Sequence, residues 1–366
     1  MPRILLLTIL LAPAIGLAGC GGSNATPSAL AAPNAAAQSG TIHPNVVVRD
    51  RGLDPDAPRG WSPADLEAAY DLPSSSKGTG QIVAVVDAYD NPNVASDLAS
   101  YRSRFGLPQA NFTKYNQTGQ TGNYPQGSPA WGVEIDLDVE MLSASCPNCT
   151  IDLVEADSNG TKDLEAAVAQ AVKLGAHVVS ISWSCDGSGC VGESYFSAKG
   201  VEYLASGGDA GFAGAYPSDF DRVVATGGTV LKRGGGGKRG WTESVWPGES
   251  GGCTNARKPK WQHDTYCKGR LLNDVASVAT NVAEYDSYDQ GGWLTVEGTA
   301  TSAPFLAGVF GLAGNAAEQK GGRTFWQAAH HKYLYPVKRG SSSCAYVMGR
   351  YNTCTGWGTP HGIGAF

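Results

Sequence analysis

Hydrophobic and polar positions alternate between two patterns along the chain. Gln81-Ile82-Val83-Ala84-Val85-Val86-Asp87 is a continuous apolar run closed by polar residues, the pattern of a strand buried on both faces. Similar runs recur at residues 151–155, 178–183, 201–205 and 223–226. Helical patterns lie between them. Ser62 can cap a helix with Pro63 in its first turn, and Asn91-Pro92 opens another that runs to about Phe105 and stops at Gly106. A third covers 163–174 and ends at Gly175. Strands alternating with helices of about a dozen residues predict an α/β fold with a mostly parallel central sheet covered by helices on both faces.

Two segments depart from this rhythm. Residues 301–314 are apolar on every side, so they predict a helix buried in the core, entered through the turn Glu297-Gly298-Thr299-Ala300. Residues 133–141, VEIDLDVEM, alternate as an amphipathic strand would. That strand would carry four carboxylates on one face. A helix disperses them while keeping Ile135, Val139 and Leu142 together, and is the favoured reading.

Composition narrows the picture. The chain has 366 residues, which allows two domains or one large α/β domain. Only 16% of residues are charged and the net charge is −6, with no basic cluster, so nucleic acid is excluded as a partner. The chain opens with Arg3, an apolar stretch over 4–17, and Leu17-Ala18-Gly19-Cys20. The stretch is too short to span a membrane comfortably and predicts a secretory signal. Its ending resembles a bacterial lipobox, in which Cys20 would be acylated and become the mature N-terminus. Residues 1–19 are then a lipoprotein signal peptide, and 20–60, rich in Gly, Ser, Ala, Asn and Pro, a flexible tether. Residues 61–366 form the folded domain. The expected location is the cell envelope, held through a lipid anchor, or the medium if Cys20 is not acylated.

Nine cysteines leave eight after Cys20. They fall into neighbouring pairs, and proximity predicts disulfides Cys146–Cys149, Cys185–Cys190, Cys253–Cys267 and Cys344–Cys354 in an oxidising compartment. The CxxC spacing at Cys146 lacks the second pair that zinc requires.

Three motifs carry a family resemblance. Gly298-Thr299-Ala300-Thr301-Ser302-Ala303-Pro304 is similar to the Gly-Thr-Ser-x-Ser-x-Pro signature of the subtilisin-like superfamily. No histidine is followed by Gly-Thr, the base motif of subtilisins proper. Instead, Glu134 and Asp138 lie in a segment that resembles the Glu-x-x-x-Asp helix of the sedolisins, the serine-carboxyl peptidases. Ser206-Gly207-Gly208-Asp209 resembles their Gly-Asp-Ser-Gly loop. The resemblance covers roughly residues 60–366 and implies a single subtilisin-like domain. It assigns Glu134 as general base, Asp138 as its partner and Asp209 as an oxyanion donor. A carboxylate base stays usable in acid, where histidine is already protonated. Asp87 mimics a subtilisin Asp at a strand end, but without a partner His its expected role is structural.

The resemblance also exposes departures. Ala300 stands at the nucleophile position, and a methyl group cannot form an acyl-enzyme. Ser302 and Thr299 carry the candidate substitute hydroxyls, although neighbouring helical positions point about 100° away. The family's calcium carboxylates match Pro336 and Asn352, so no metal or other cofactor is expected. The family's long prosegment is matched here by a short linker. The expected function is a catalytically impaired sedolisin homologue that binds peptide or unfolded protein in its cleft. An acid endopeptidase using a neighbouring hydroxyl, and a structural envelope protein, remain as alternatives.

Overall fold

A computed structural model describes residues 42–51, 57–185, 190, 192–211, 216–235 and 237–366. The predicted signal segment and Cys20 lie outside the described residues. The central sheet has eight strands: β1 (Ile82–Ala88), β2 (Asn111–Asn116), β3 (Thr150–Ala156), β4 (Val178–Ile181), β5 (Glu202–Ser206), β6 (Val223–Arg233), β7 (Trp241–Val245) and β8 (Val275–Val278). Their order is β7-β6-β5-β4-β1-β3-β2, with β8 also on β6. Every pairing is parallel except β7 with β6, as the continuous apolar runs predict. All of β1 beyond Ile82 is buried, Asp87 included. Both faces of that strand are therefore covered.

Among the described residues there are five α-helices: α1 (Pro63–Tyr70), α2 (Val94–Arg104), α3 (Pro129–Ser145), α4 (Thr161–Lys173) and α5 (Ser302–Ala313), of which α3, α4 and α5 pack on the sheet and α1 and α2 on α3. Ser62 begins α1 with a capping box, its hydroxyl accepting from the Asp65 amide while the Asp65 carboxylate accepts from the Ser62 amide. The ambiguous acidic segment is helical. Its alternating carboxyls divide into two i,i+4 pairs on different sides of α3, Glu134 with Asp138 and Asp136 with Glu140. Helix α5 is buried over 302–312 and packs directly on α3. The close approach depends on Gly308, where a Cβ would fall 1.9 Å from Ser145 Oγ. All four predicted disulfides are formed.

The expected tether is shorter than residues 20–60. Ile42–Pro44 pair antiparallel with Trp183–Cys185, and Val47–Arg51 pair with Gly292–Glu297. Residues 42–51 are therefore integral to the domain. Val46 and Val48 carry enough apolar surface to bury them there, at 8% and 4% exposed. Strand β4 is correspondingly shorter than the apolar run suggested, because Trp183–Cys185 leaves the main sheet to meet this segment.

Candidate active site

The site lies at the carboxyl ends of the parallel strands, where open α/β sheets place their ligands. Helix α3 brings Glu134 and Asp138 there and packs against the Thr299–Thr301 turn that begins α5. Both carboxyls are fully buried. Burial, then the neighbouring carboxyls of Asp138, Asp87 and Asp209, holds Glu134 well above the ordinary carboxylate range. Burial and then Asp87 do the same to Asp138, with Ser182 and Glu134 offsetting part of the effect. Asp87 is pushed up to about 8 by burial alone. Buried carboxyls that interact this strongly do not all ionise together, so protonation of one depends on that of the others. Asp87 thus adjoins the Glu134–Asp138 pair and belongs to the site's proton network. Its strand-end position was visible in the sequence, but its neighbours come from α3, about fifty residues away.

Asp209 follows β5 on the opposite wall. Its Oδ1 accepts from the Thr299 amide at 2.9 Å and the Thr299 hydroxyl at 2.8 Å. Its Oδ2 is shielded from water and has no partner. Burial raises this carboxyl to about 7, with the Thr299 bonds and the charge of His43 pulling it back. A carboxyl with one oxygen anchored and the other protonated is a hydrogen-bond donor, the property an oxyanion site requires. Ala300 is buried between these walls. Its amide points at a carbonyl oxygen, that of Asn45, at 3.2 Å.

The neighbouring hydroxyls are committed elsewhere. Thr299 Oγ1 donates to Asp209 and accepts from the Gly208 amide at 3.1 Å. Ser302 Oγ donates to the Gly227 carbonyl at 2.8 Å and lies 2.9 Å from Ser277 Oγ. Thr301 Oγ1 donates to the carbonyls of Val278 and Gly298. None of these contacts leads to Glu134. The arrangement gathers a cluster of interacting buried carboxyls, a carboxyl with one unengaged oxygen and a backbone amide around residue 300, whose side chain is a methyl group.

No family model matches the chain. It is 28% identical over 360 residues to kumamolisin from Bacillus sp. strain MN-32, covering 84% of this chain and 63% of that protein. The chain therefore spans less than two thirds of that relative's length. Its fold matches Pseudomonas sedolisin, a serine-carboxyl proteinase solved in complex with two molecules of pseudo-iodotyrostatin. That match has a TM-score of 0.70 at 21% identity and covers 83% of this chain and 96% of the other. The sequence similarity is to kumamolisin, and the structural match shows a shared fold. Sphericase shares the fold more distantly, with a TM-score of 0.56 at 16% identity over 85% of this chain and 99% of its own. The architecture is a single subtilisin-like α/β domain.

The sedolisin resemblance also implies a calcium ion near the C-terminus, and the residues at the matching positions do not fit one. Pro336 offers no side-chain oxygen. Asn352 brings a neutral amide, and its Oδ1 accepts from the Cys354 amide at 2.9 Å. Calcium sites depend on several hard oxygens that include carboxylates. The Cys344–Cys354 disulfide lies in the same C-terminal region. On the other side of α3, oxygens of Asp97, Asp136 and Asp286 lie within 4.8 Å of one another. Each already accepts a protein hydrogen bond, from Ser287, Asn91 and the Tyr288 amide respectively.

Proposed function

We propose that this chain is a sedolisin-like serine-carboxyl peptidase homologue that has lost its nucleophile and acts by holding peptide or unfolded protein in the retained cleft. The carrying observation is the hydroxyl pattern around residue 300. Glu134, Asp138 and Asp209 keep a proton-sharing and oxyanion-binding arrangement, while Thr299, Thr301 and Ser302 spend their hydroxyls on other groups. Loss of the nucleophile alone costs about 10⁶ in kcat in the subtilisin example. Retaining several buried carboxyls without ordinary partners is costly, which favours a cleft still in use. The same reading takes the protein as exported and lipid-anchored through Cys20 at a bacterial envelope, with the Cys344–Cys354 disulfide in place of calcium.

The test is cleavage of an unfolded protein at about pH 4, where a carboxylate base remains active. The wild type is expected to be inert and Ala300→Ser to cleave, with cleavage lost in Ala300→Ser/Glu134→Ala. Cleavage by the wild type that Glu134→Ala abolishes would overturn the loss of activity.

A further inference from the structure

A second group of buried carboxyls lies on the side of α3 turned away from Glu134 and Asp138, and the peptide cleft makes no use of it. Asp97 from α2, Asp136 from α3 and Asp286 from the strand Val282–Asp286 bring oxygens within 4.8 Å of one another. A calcium ion, with bonds of about 2.3–2.6 Å, spans such a distance between opposite ligands. All three side chains are buried, yet each keeps capacity to coordinate. Asp136 Oδ2 accepts from Asn91 Nδ2 at 2.6 Å, and Asp286 Oδ1 accepts from the Tyr288 amide at 2.7 Å and the Asp289 amide at 3.2 Å. Asp136 Oδ1 and Asp286 Oδ2 have no partner. Asp97 is oriented by Ser287, whose amide and hydroxyl donate to its two oxygens at 3.0 and 2.7 Å.

Glu284 points to the same centre. It is fully buried, and neither of its carboxyl oxygens has a partner. Burial, then Asp286, Asp136, Asp138 and Asp97, holds it well above the ordinary carboxylate range, so its charge faces the cluster. Glu140 adds a further unpartnered oxygen, Oε1, close to Asp136 and Glu284. Among the described residues, no lysine, arginine or histidine forms an ion pair with any of these five carboxyls. Lys114, whose charge reaches Asp136, is engaged by Asp90 and the Asn91 carbonyl. Arg102 on α2 gives its guanidinium to the carbonyls of Pro108 and Pro147 and to the Ser143 hydroxyl. A proton serves one oxygen, whereas a hard divalent cation takes six to eight and cancels two charges. The donors are all oxygens, without thiolate or imidazole, which suits calcium and not zinc or copper.

Independently of the cleft, we propose that Asp97, Asp136 and Asp286 hold a calcium ion, with Glu284 as a fourth carboxylate. The site is separate from the C-terminal positions Pro336 and Asn352. The ion ties the hairpin formed by Val282–Asp286 and Gly292–Glu297 to α2 and α3, and so braces the helix that carries Glu134 and Asp138. Its outer wall is the turn after Asp286, where Ser287 and Tyr288 are half-buried and Asp289 is exposed.

The test uses the full chain, stripped with EDTA and titrated at about pH 7.5 with calcium, magnesium or manganese chloride, read by calorimetry and thermal unfolding. One calcium ion is expected per chain, and calcium at about a hundred times its Kd should raise Tm by about 5 °C. Absence of saturable binding, with a Tm shift below about 1 °C, overturns the proposal. Asp97→Asn and Asp136→Asn are each expected to weaken calcium at least tenfold, while Asn352→Ser keeps the affinity within about twofold. Binding that survives both aspartate variants, or that is lost in Asn352→Ser, overturns the assignment. Magnesium or manganese binding more tightly than calcium overturns the choice of ion. Hydrogen exchange on the wild type needs no variant to fold. Calcium is expected to slow the amides of 284–292 at least tenfold, and unchanged rates overturn the placement.

Discussion

Replacing Asp209 with asparagine tests the protonated oxyanion donor without needing catalysis. An unfolded aspartate titrates near 4, whereas burial lifts the folded Asp209 carboxyl to about 7. Between those values the folded protein binds a proton that the unfolded chain does not. Stability from this group is therefore fully present below about pH 4 and is lost as pH rises through about 7. One proton corresponds to a slope of about 1.4 kcal/mol per pH unit, so the whole window is worth about 4 kcal/mol at most. Asparagine keeps an oxygen for the Thr299 donors, but it does not titrate. Urea unfolding of both proteins from about pH 4 to pH 8 gives the difference in stability directly. The wild type should lose several kcal/mol relative to Asp209→Asn across that range, while the other raised carboxyls, present in both proteins, largely cancel. Curves that stay parallel within about 0.5 kcal/mol would show that Asp209 is not preferentially protonated in the fold. The oxyanion argument would then fall.

Two further expectations concern the scaffold. Cys253→Ser/Cys267→Ser opens a loop with a sequence separation of 14, and should destabilise the domain by about 3 kcal/mol on the chain-entropy estimate, read by urea unfolding under oxidising conditions. Gly308→Ala drives a methyl into Ser145 Oγ and should cost about 1–3 kcal/mol with a matching fall in Tm, whereas a neutral result would refute the close packing of α5 on α3.

Much of the fold follows from local pattern. The run 82–86 is apolar without interruption, so it has to be covered on both faces, and a parallel strand is the usual solution. Ser62, Pro63 and Asp65 mark the start of α1 because its free amides need a local acceptor. The acidic segment 133–141 was ambiguous by periodicity. Repulsion among four carboxylates on one strand face favours the helix that forms. Disulfide pairing followed proximity because each pair closes a short loop.

Other features depend on residues far apart in sequence. Pro44 and Asn45 beside many small polar residues suggested a tether, and the signal against it was the run Val46-Val47-Val48. Val47–Arg51 becomes a strand only because Gly292–Glu297 supplies a partner edge. Asp87 joins the proton network because α3 crosses the end of β1, and no local pattern encodes that crossing.

The sequence by itself determined the element types, the small residues at tight contacts and the alanine at position 300, since these depend on local sterics and chemistry. Only the tertiary structure decided which carboxyls meet, which hydroxyls are already engaged and where residues 42–51 pair. Those outcomes depend on through-space burial and pairing between segments separated by scores to hundreds of residues.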